Sequence, residues 1–186
     1  MKESNCILIA ELGATNARIA LTKDGTTLIE SKEYLLNDFS TVDHLFEVYF
    51  EEIEQKATKA IIGVAAPVLG EEVRFTNNNI MFNQRILKDK VFSKDLKVMN
   101  DLELQAYALE DLGDEEVLRI GEVEEEKKGS KILISPGSGL GLAGIVDKQI
   151  IFTEGGHLNI PSDSQDINEI LKKFKKDRGR NPTFED

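Results

Sequence analysis

The 186-residue sequence contains one cysteine, Cys6, and no tryptophan. A single cysteine can form no disulfide within the chain and no cysteine-based metal site, which fits a reducing compartment. Cys6 lies in an apolar run and is expected as a small core residue rather than a nucleophile. Histidine is as scarce: His44 and His157 are the only two, too few, with one cysteine, to complete a tetrahedral zinc set. No apolar run approaches the length of a membrane span. The N-terminus lacks a basic region followed by a long apolar stretch, so no signal peptide is expected. Lys and Arg together number 23 against 34 Asp and Glu, a formal net charge of -11. That disfavours nucleic acid or an anionic membrane as a partner, because both are bound by clustered cationic side chains. A small phosphate ligand remains compatible, since a few backbone N–H groups can hold one. The expectation is a soluble, cytoplasmic protein with neither a nucleic-acid nor a membrane partner.

What is present reads as alternating strands and helices. Cys6–Ala10, Ala17–Leu21 and Thr27–Tyr34 read as strands, with a hairpin turn at Lys23-Asp24-Gly25. Leu45, Phe46, Tyr49 and Ile53 fall at helical spacing within Val42–Ile53. Ala60–Ala65 reads as a strand buried on both faces, Arg85–Val91 as a helix and Leu96–Met99 as another buried strand. Asn100-Asp101 then opens a helix through Leu109, with Asn as its cap. The order β-β-β-α-β-α-β-α predicts an α/β layout with a mixed sheet and crossover helices.

Texture changes after Leu112. Gly113–Gly129 is acidic and reads as a solvated excursion with a weak strand at Val117–Ile120. Lys131–Ser135, Leu140–Val146 and Gln149–Thr153 predict a second three-stranded meander with its own glycine turn. Two domains are therefore expected, 1–112 as a small α/β lobe and 113–186 as the beginning of a second. Two such units facing each other would bring both glycine turns to one cleft. A last helix over Asp166–Phe174 places Ile167, Ile170, Leu171 and Phe174 on one face.

Four motifs carry chemistry. Glu11-Leu12-Gly13-Ala14-Thr15-Asn16 turns the chain between the first two strands. Glycine there can aim backbone N–H groups at a ligand, Thr15 and Asn16 add side-chain donors, and Glu11 could hold Mg²⁺ directly or through water. Taken alone, an ordinary tight hairpin is the simpler reading. Gly137-Ser138-Gly139-Leu140-Gly141 sits between two strands, so it is neither a P-loop nor a dinucleotide fingerprint, both of which open a helix. It suits a second phosphate clamp, or a plain glycine-rich hairpin. Asp101, at a strand end on a rigid scaffold, suits a base accepting a hydroxyl proton; helix capping by Asn100-Asp101 is the competing reading. Glu154-Gly155-Gly156-His157 closes a strand with two polar side chains that can grip a polyol.

In this order the motifs resemble those of the bacterial glucokinases of the hexokinase and actin-like ATPase superfamily. The likeness extends to Ala65-Ala66-Pro67-Val68, to Thr76-Asn77 with Phe82 downstream, and to Thr183-Phe184-Glu185-Asp186. It implies an actin-like ATPase (ribonuclease H-like) fold and ATP-dependent, Mg²⁺-assisted phosphorylation of glucose at the 6-hydroxyl. It implies that Asp101 is the catalytic base and that Asn77, Asn100, Asp101, Glu154, His157 and Glu185 hold the sugar. Phosphate contacts would fall at Gly13, Ala14, Thr15 and Asn16 and at Gly137, Ser138 and Gly139, with Mg²⁺ at Glu11. The related branch with a structural zinc carries a cysteine cluster that this sequence lacks.

Two residues depart from the family pattern: Glu11 stands where the family has aspartate, and Ala14 where it has a second glycine. The family also continues beyond the point matched by Asp186, with most of the adenosine pocket in that continuation, so an amino-terminal portion is expected. The alternative is a homologue that binds sugar without catalysis. A purely structural ATPase-fold protein is disfavoured by Glu154-Gly155-Gly156-His157. The apolar face of the last helix leads to an expectation of a homodimer.

Overall fold

The computed structural model describes residues 2–75, 80–109, 111–118, 120–121, 129–137, 139–147, 149–162 and 164–186. In chain order the elements are β1 (Lys2–Leu12), β2 (Asn16–Thr22), β3 (Leu28–Leu35), α1 (Val42–Glu52), β4 (Gln55–Val64), β5 (Glu72–Arg74), β6 (Met81–Asn83), α2 (Gln84–Leu87), β7 (Asp95–Asn100), α3 (Asp101–Ala108), β8 (Lys131–Pro136), β9 (Leu140–Val146), β10 (Gln149–Thr153) and α4 (Gln165–Arg178). The chain divides into two compact units, Met1–Leu104 and Gln105–Asp186.

The first unit is built on a five-stranded sheet of order β3-β2-β1-β4-β7. β1, β2 and β3 form an antiparallel meander, whereas β1, β4 and β7 run parallel. The parallel register aligns the strand ends: Leu12 lies opposite Val64, and Val64 opposite Asn100. The motifs that follow β1 and β7 are thereby brought to one edge of the sheet. α1 packs Val42, Leu45, Phe46, Tyr49 and Phe50 into the core, capped by Thr41, whose hydroxyl accepts from the His44 backbone N–H. His44 itself is exposed. Cys6 is buried with Leu8, Leu12, Ile19, Ile62 and Phe92 in that core, as its apolar surroundings predict.

Several boundaries differ from the sequence reading. β5 and β6 form a small antiparallel hairpin that the expected element string lacks; strands of three residues are too short to show an alternation. The helix expected over Arg85–Val91 is one α turn continued by a wider π turn at Lys88–Phe92, and it ends at Ser93 in a left-handed conformation. The weak strand expected at Val117–Ile120 is not formed at the described residues Val117, Leu118 and Ile120. Leu118 and Ile120 are exposed, so no strand or core among the described residues rewards an extended pairing there.

In the second unit β8, β9 and β10 form an antiparallel meander of order β10-β9-β8. Ala143 and Ile145 of β9 are buried on one face, while Ile132 and Ile134 of β8 remain exposed. The stretch 182–185 runs alongside 156–160, with hydrogen bonds from Ile160 N–H to Pro182, Phe184 N–H to Leu158 and Glu185 N–H to Gly156. α4 reaches Arg178, four residues beyond the expected end. The added turn has no apolar periodicity, but Lys and Arg are good helix formers, and Gly179 at φ +73° stops the helix.

Candidate functional site

The first group of residues lies at the carboxyl ends of β1, β4 and β7. In sheets of this type, that edge is where ligands bind. Three strand ends are tied together by hydrogen bonds: Ala65 N–H donates to the Leu12 carbonyl at 2.9 Å, and Asn100 Nδ2 donates to the Ala66 carbonyl at 3.2 Å. Asn100 Oδ1 accepts from the backbone N–H groups of Leu102 (2.9 Å) and Glu103 (3.3 Å). Asn100 therefore caps α3 and fastens it to the turn after β4. Asp101 is the first residue of that helix and is half-buried; its Oδ1 accepts from Leu102 N–H at 2.8 Å. One amide side chain thus fixes the position of the neighbouring carboxylate.

Two strand spacings away, about 10 Å, the chain turns at Gly13–Thr15. Gly13 N–H donates to the Asn16 carbonyl at 2.9 Å, closing the turn. Ala14 is not among the residues at positive φ. It therefore takes a backbone conformation open to any L-residue, and replacement of a glycine there carries no dihedral strain. Thr15 is exposed and its carbonyl accepts from Leu36 N–H.

Sequence reasoning missed a charged ladder beside this turn. Glu11 lies opposite Arg18, and Arg18 opposite Glu33, across β1, β2 and β3. The Arg18 guanidinium is 3.2 Å from the Glu11 carboxylate and 3.5 Å from that of Glu33, and Asn16 Nδ2 donates to Glu33 at 3.0 Å. Asn16 Oδ1 is buried and accepts no hydrogen bond, so this amide keeps one acceptor for a donor not supplied by the described residues. The signal was available only through strand register, since these residues are 7 and 15 positions apart.

The second group lies in the second unit. Glu154 leads into a short 3₁₀ turn over Gly155–His157 without spending its side chain on a cap. His157 stands between two carboxylates, with Nε2 3.4 Å from Glu154 and Nδ1 3.6 Å from Glu185. Glu185 also accepts from Leu140 N–H at 3.3 Å, so its carboxylate sits against the end of the second glycine turn. That turn closes through Gly137 N–H to the Gly139 carbonyl at 2.8 Å. Gly156 is required by close packing: a Cβ there would come within 2.1 Å of the Leu140 carbonyl oxygen. A closed turn anchors Glu185, in which Arg180 makes a bidentate pair with Asp186 (2.7 Å for each bond) while Asp186 accepts from Thr183 N–H at 2.8 Å.

The structure thus groups Glu11, Gly13, Ala14, Thr15 and Asn16 on the same sheet edge as Asn100 and Asp101. It separately groups Gly137, Gly139, Glu154, His157 and Glu185. Asn77 and Ser138 lie outside the described residues. Among the described residues there is no group of three or more His, Cys, Asp or Glu side chains able to hold a metal by themselves. A single carboxylate such as Glu11 does fit Mg²⁺, which is commonly held by one or two carboxylates plus substrate phosphates.

A mixed sheet with helices of this kind is the fold found in sugar kinases of the actin-like ATPase class. The family model described as Glucokinase matches residues 8–183, and the chain belongs to that family. It is 31% identical over 182 residues to a glucokinase from Chelativorans sp. (strain BNC1), a match covering 94% of this chain and 53% of that protein. The crystal structure of a glucokinase from an Antarctic psychrotroph superposes with a TM-score of 0.76 at 25% identity, covering 98% of this chain and 60% of that one. A glucokinase from Balamuthia mandrillaris in complex with glucose gives 0.75 at 17% identity, covering 97% and 58%. The chain spans about half the length of the glucokinases it matches.

Proposed function

We propose that this chain supplies the acceptor side of an ATP-dependent glucose kinase. The observation that carries the reading is the parallel register of β1, β4 and β7, which sets the Gly13–Thr15 turn and Asn100-Asp101 on one sheet edge. Asp101 takes the proton from the 6-hydroxyl of glucose as that oxygen attacks the γ-phosphorus of ATP, whose bond to the β–γ bridging oxygen breaks so that ADP leaves with that oxygen. Asn100 holds Asp101 in place through the start of α3. Glu154, His157 and Glu185 accept and donate hydrogen bonds to the remaining hydroxyls, with Asn77 as a further sugar contact. The two glycine turns, including Ser138, receive phosphate oxygens at backbone N–H groups. Bound at Glu11, Mg²⁺ supplies charge neutralisation on the phosphates.

A second reading is a homologue that binds sugar without transferring phosphate. The Glu11–Arg18 pair favours it, because a carboxylate already engaged by a guanidinium is a poorer metal ligand. Glucose-dependent ADP release separates the two readings. It is to be measured in the catalytically competent form of the protein, either this chain alone or this chain joined to the half of its relatives' length that it does not span. Sustained release supports the kinase. Glucose binding by calorimetry without ADP release supports the binder, and neither signal refutes both.

A further inference from the structure

Pro182 is the one buried residue of the stretch 180–186, so apolar packing does little to fix where the Glu185 carboxylate stands. Its own polar contacts are long: 3.3 Å from Leu140 N–H and 3.6 Å from His157 Nδ1. The contacts around it are short. Arg180 Nη1 and Nη2 each donate to Asp186 at 2.7 Å, the charge-assisted bidentate geometry that is both strong and directional. The same carboxylate accepts from Thr183 N–H at 2.8 Å and from the Thr183 hydroxyl at 3.2 Å, and its side chain is only 17% exposed. These bonds close a loop on either side of Glu185. The loop is braced on α4, where the Arg180 guanidinium lies over the Phe174 ring, 5.5 Å from its centroid, within cation–π range. The Glu185 side chain has little lateral room. A Cβ at Gly139 would stand 2.8 Å from its Oε1, and one at Gly156 2.9 Å from its Cγ.

We infer that Arg180 is a positioning residue for the sugar site: clasped to Asp186 and braced on Phe174, it sets the Glu185 carboxylate beside His157 at the distance a bound hexose requires. The inference rests on the reading of Glu185 as a sugar contact. Arg180 touches no sugar hydroxyl in this account and acts only through Glu185. Its fork matters more than its charge. Lysine keeps the charge but cannot form two parallel bonds to one carboxylate. Asp186→Asn breaks the pair from the other side while keeping an acceptor for Thr183 N–H.

Two measurements test this, with urea denaturation confirming that each variant is folded. In NMR of the 186-residue chain, Arg180→Lys should shift the Leu140 amide resonance, because the acceptor on Glu185 moves. In calorimetry on the catalytically competent form, Arg180→Lys and Asp186→Asn should each weaken glucose binding about three- to tenfold. KM for glucose should rise by the same factor with kcat within about twofold, the signature of binding lost equally from ground and transition states. In a Glu185→Gln background Arg180→Lys should cost nothing further, since the two residues act as one unit. Wild-type glucose affinity in Arg180→Lys, an unmoved Leu140 amide, or the same penalty with and without Glu185 would overturn the inference. Wild-type affinity in Glu185→Gln would overturn the reading of Glu185 and the inference with it; a Leu140 amide that still responds to Arg180→Lys distinguishes that failure from a clasp that does not hold.

Discussion

The Arg18 guanidinium lies 3.2 Å from the Glu11 carboxylate, directly opposite it across β1 and β2. Both side chains are at least half exposed, so the pair contributes well under about 1 kcal/mol to stability. Its importance is positional: it fixes where a negative charge stands beside the first glycine turn. Glu11→Gln keeps the side-chain length and removes the charge. In the catalytically competent form, the Mg²⁺ concentration for half-maximal activity should rise by about tenfold, with glucose binding unchanged. An unchanged Mg²⁺ titration would remove Glu11 from the metal site.

Ala14→Gly tests the turn itself. Because Ala14 is not at positive φ, glycine relieves no strain and only loosens the unfolded chain. The variant should be less stable by about 0.4–1 kcal/mol in urea denaturation. A gain in stability would mean that the turn is strained at this position.

Gly156→Ala should be more damaging. A Cβ would meet the Leu140 carbonyl oxygen at 2.1 Å, and backbone cannot move aside as a side-chain tip can. A loss of about 1–3 kcal/mol is expected in the same assay, with weaker glucose binding because Glu185 N–H bonds to the Gly156 carbonyl. Wild-type stability would show that the start of β9 yields freely.

Acid should destabilise the chain in part through Asp24. Its carboxylate accepts from Thr26 and Thr27 N–H groups, and these bonds hold its pKa below the usual carboxylate range. A group depressed in the folded state stabilises fully above its unfolded pKa of about 3.9. That contribution is lost as pH falls below about 4 toward the folded value. Asp24→Asn keeps an acceptor without a titrating charge, so its stability should decline less steeply between about pH 5 and 2. Parallel wild-type and variant curves would contradict this.

The parts of the fold that depend on local pattern were legible in the sequence. Leu45, Phe46, Tyr49 and Ile53 announced α1 and are buried, and Asn100 reads as a cap because its short acceptor suits a helix start. Features set by register were not legible. The Glu11–Arg18–Glu33 ladder needs three strands aligned to the residue, and contact between Glu185 and Leu140 N–H spans 45 positions. Val117–Ile120 misled for the opposite reason: apolar residues without a neighbouring strand do not pair, and Leu118 and Ile120 stay in solvent.

The most direct test of the central claim is Asp101→Asn in the catalytically competent form, assayed for glucose-dependent ADP release beside calorimetric glucose binding. Asparagine preserves the size and the acceptor to Leu102 N–H but cannot take a proton. The account predicts near-normal glucose binding with turnover reduced by about 10²–10⁴-fold. Turnover close to wild type would reduce Asp101 to a helix-start acid and contradict the mechanism.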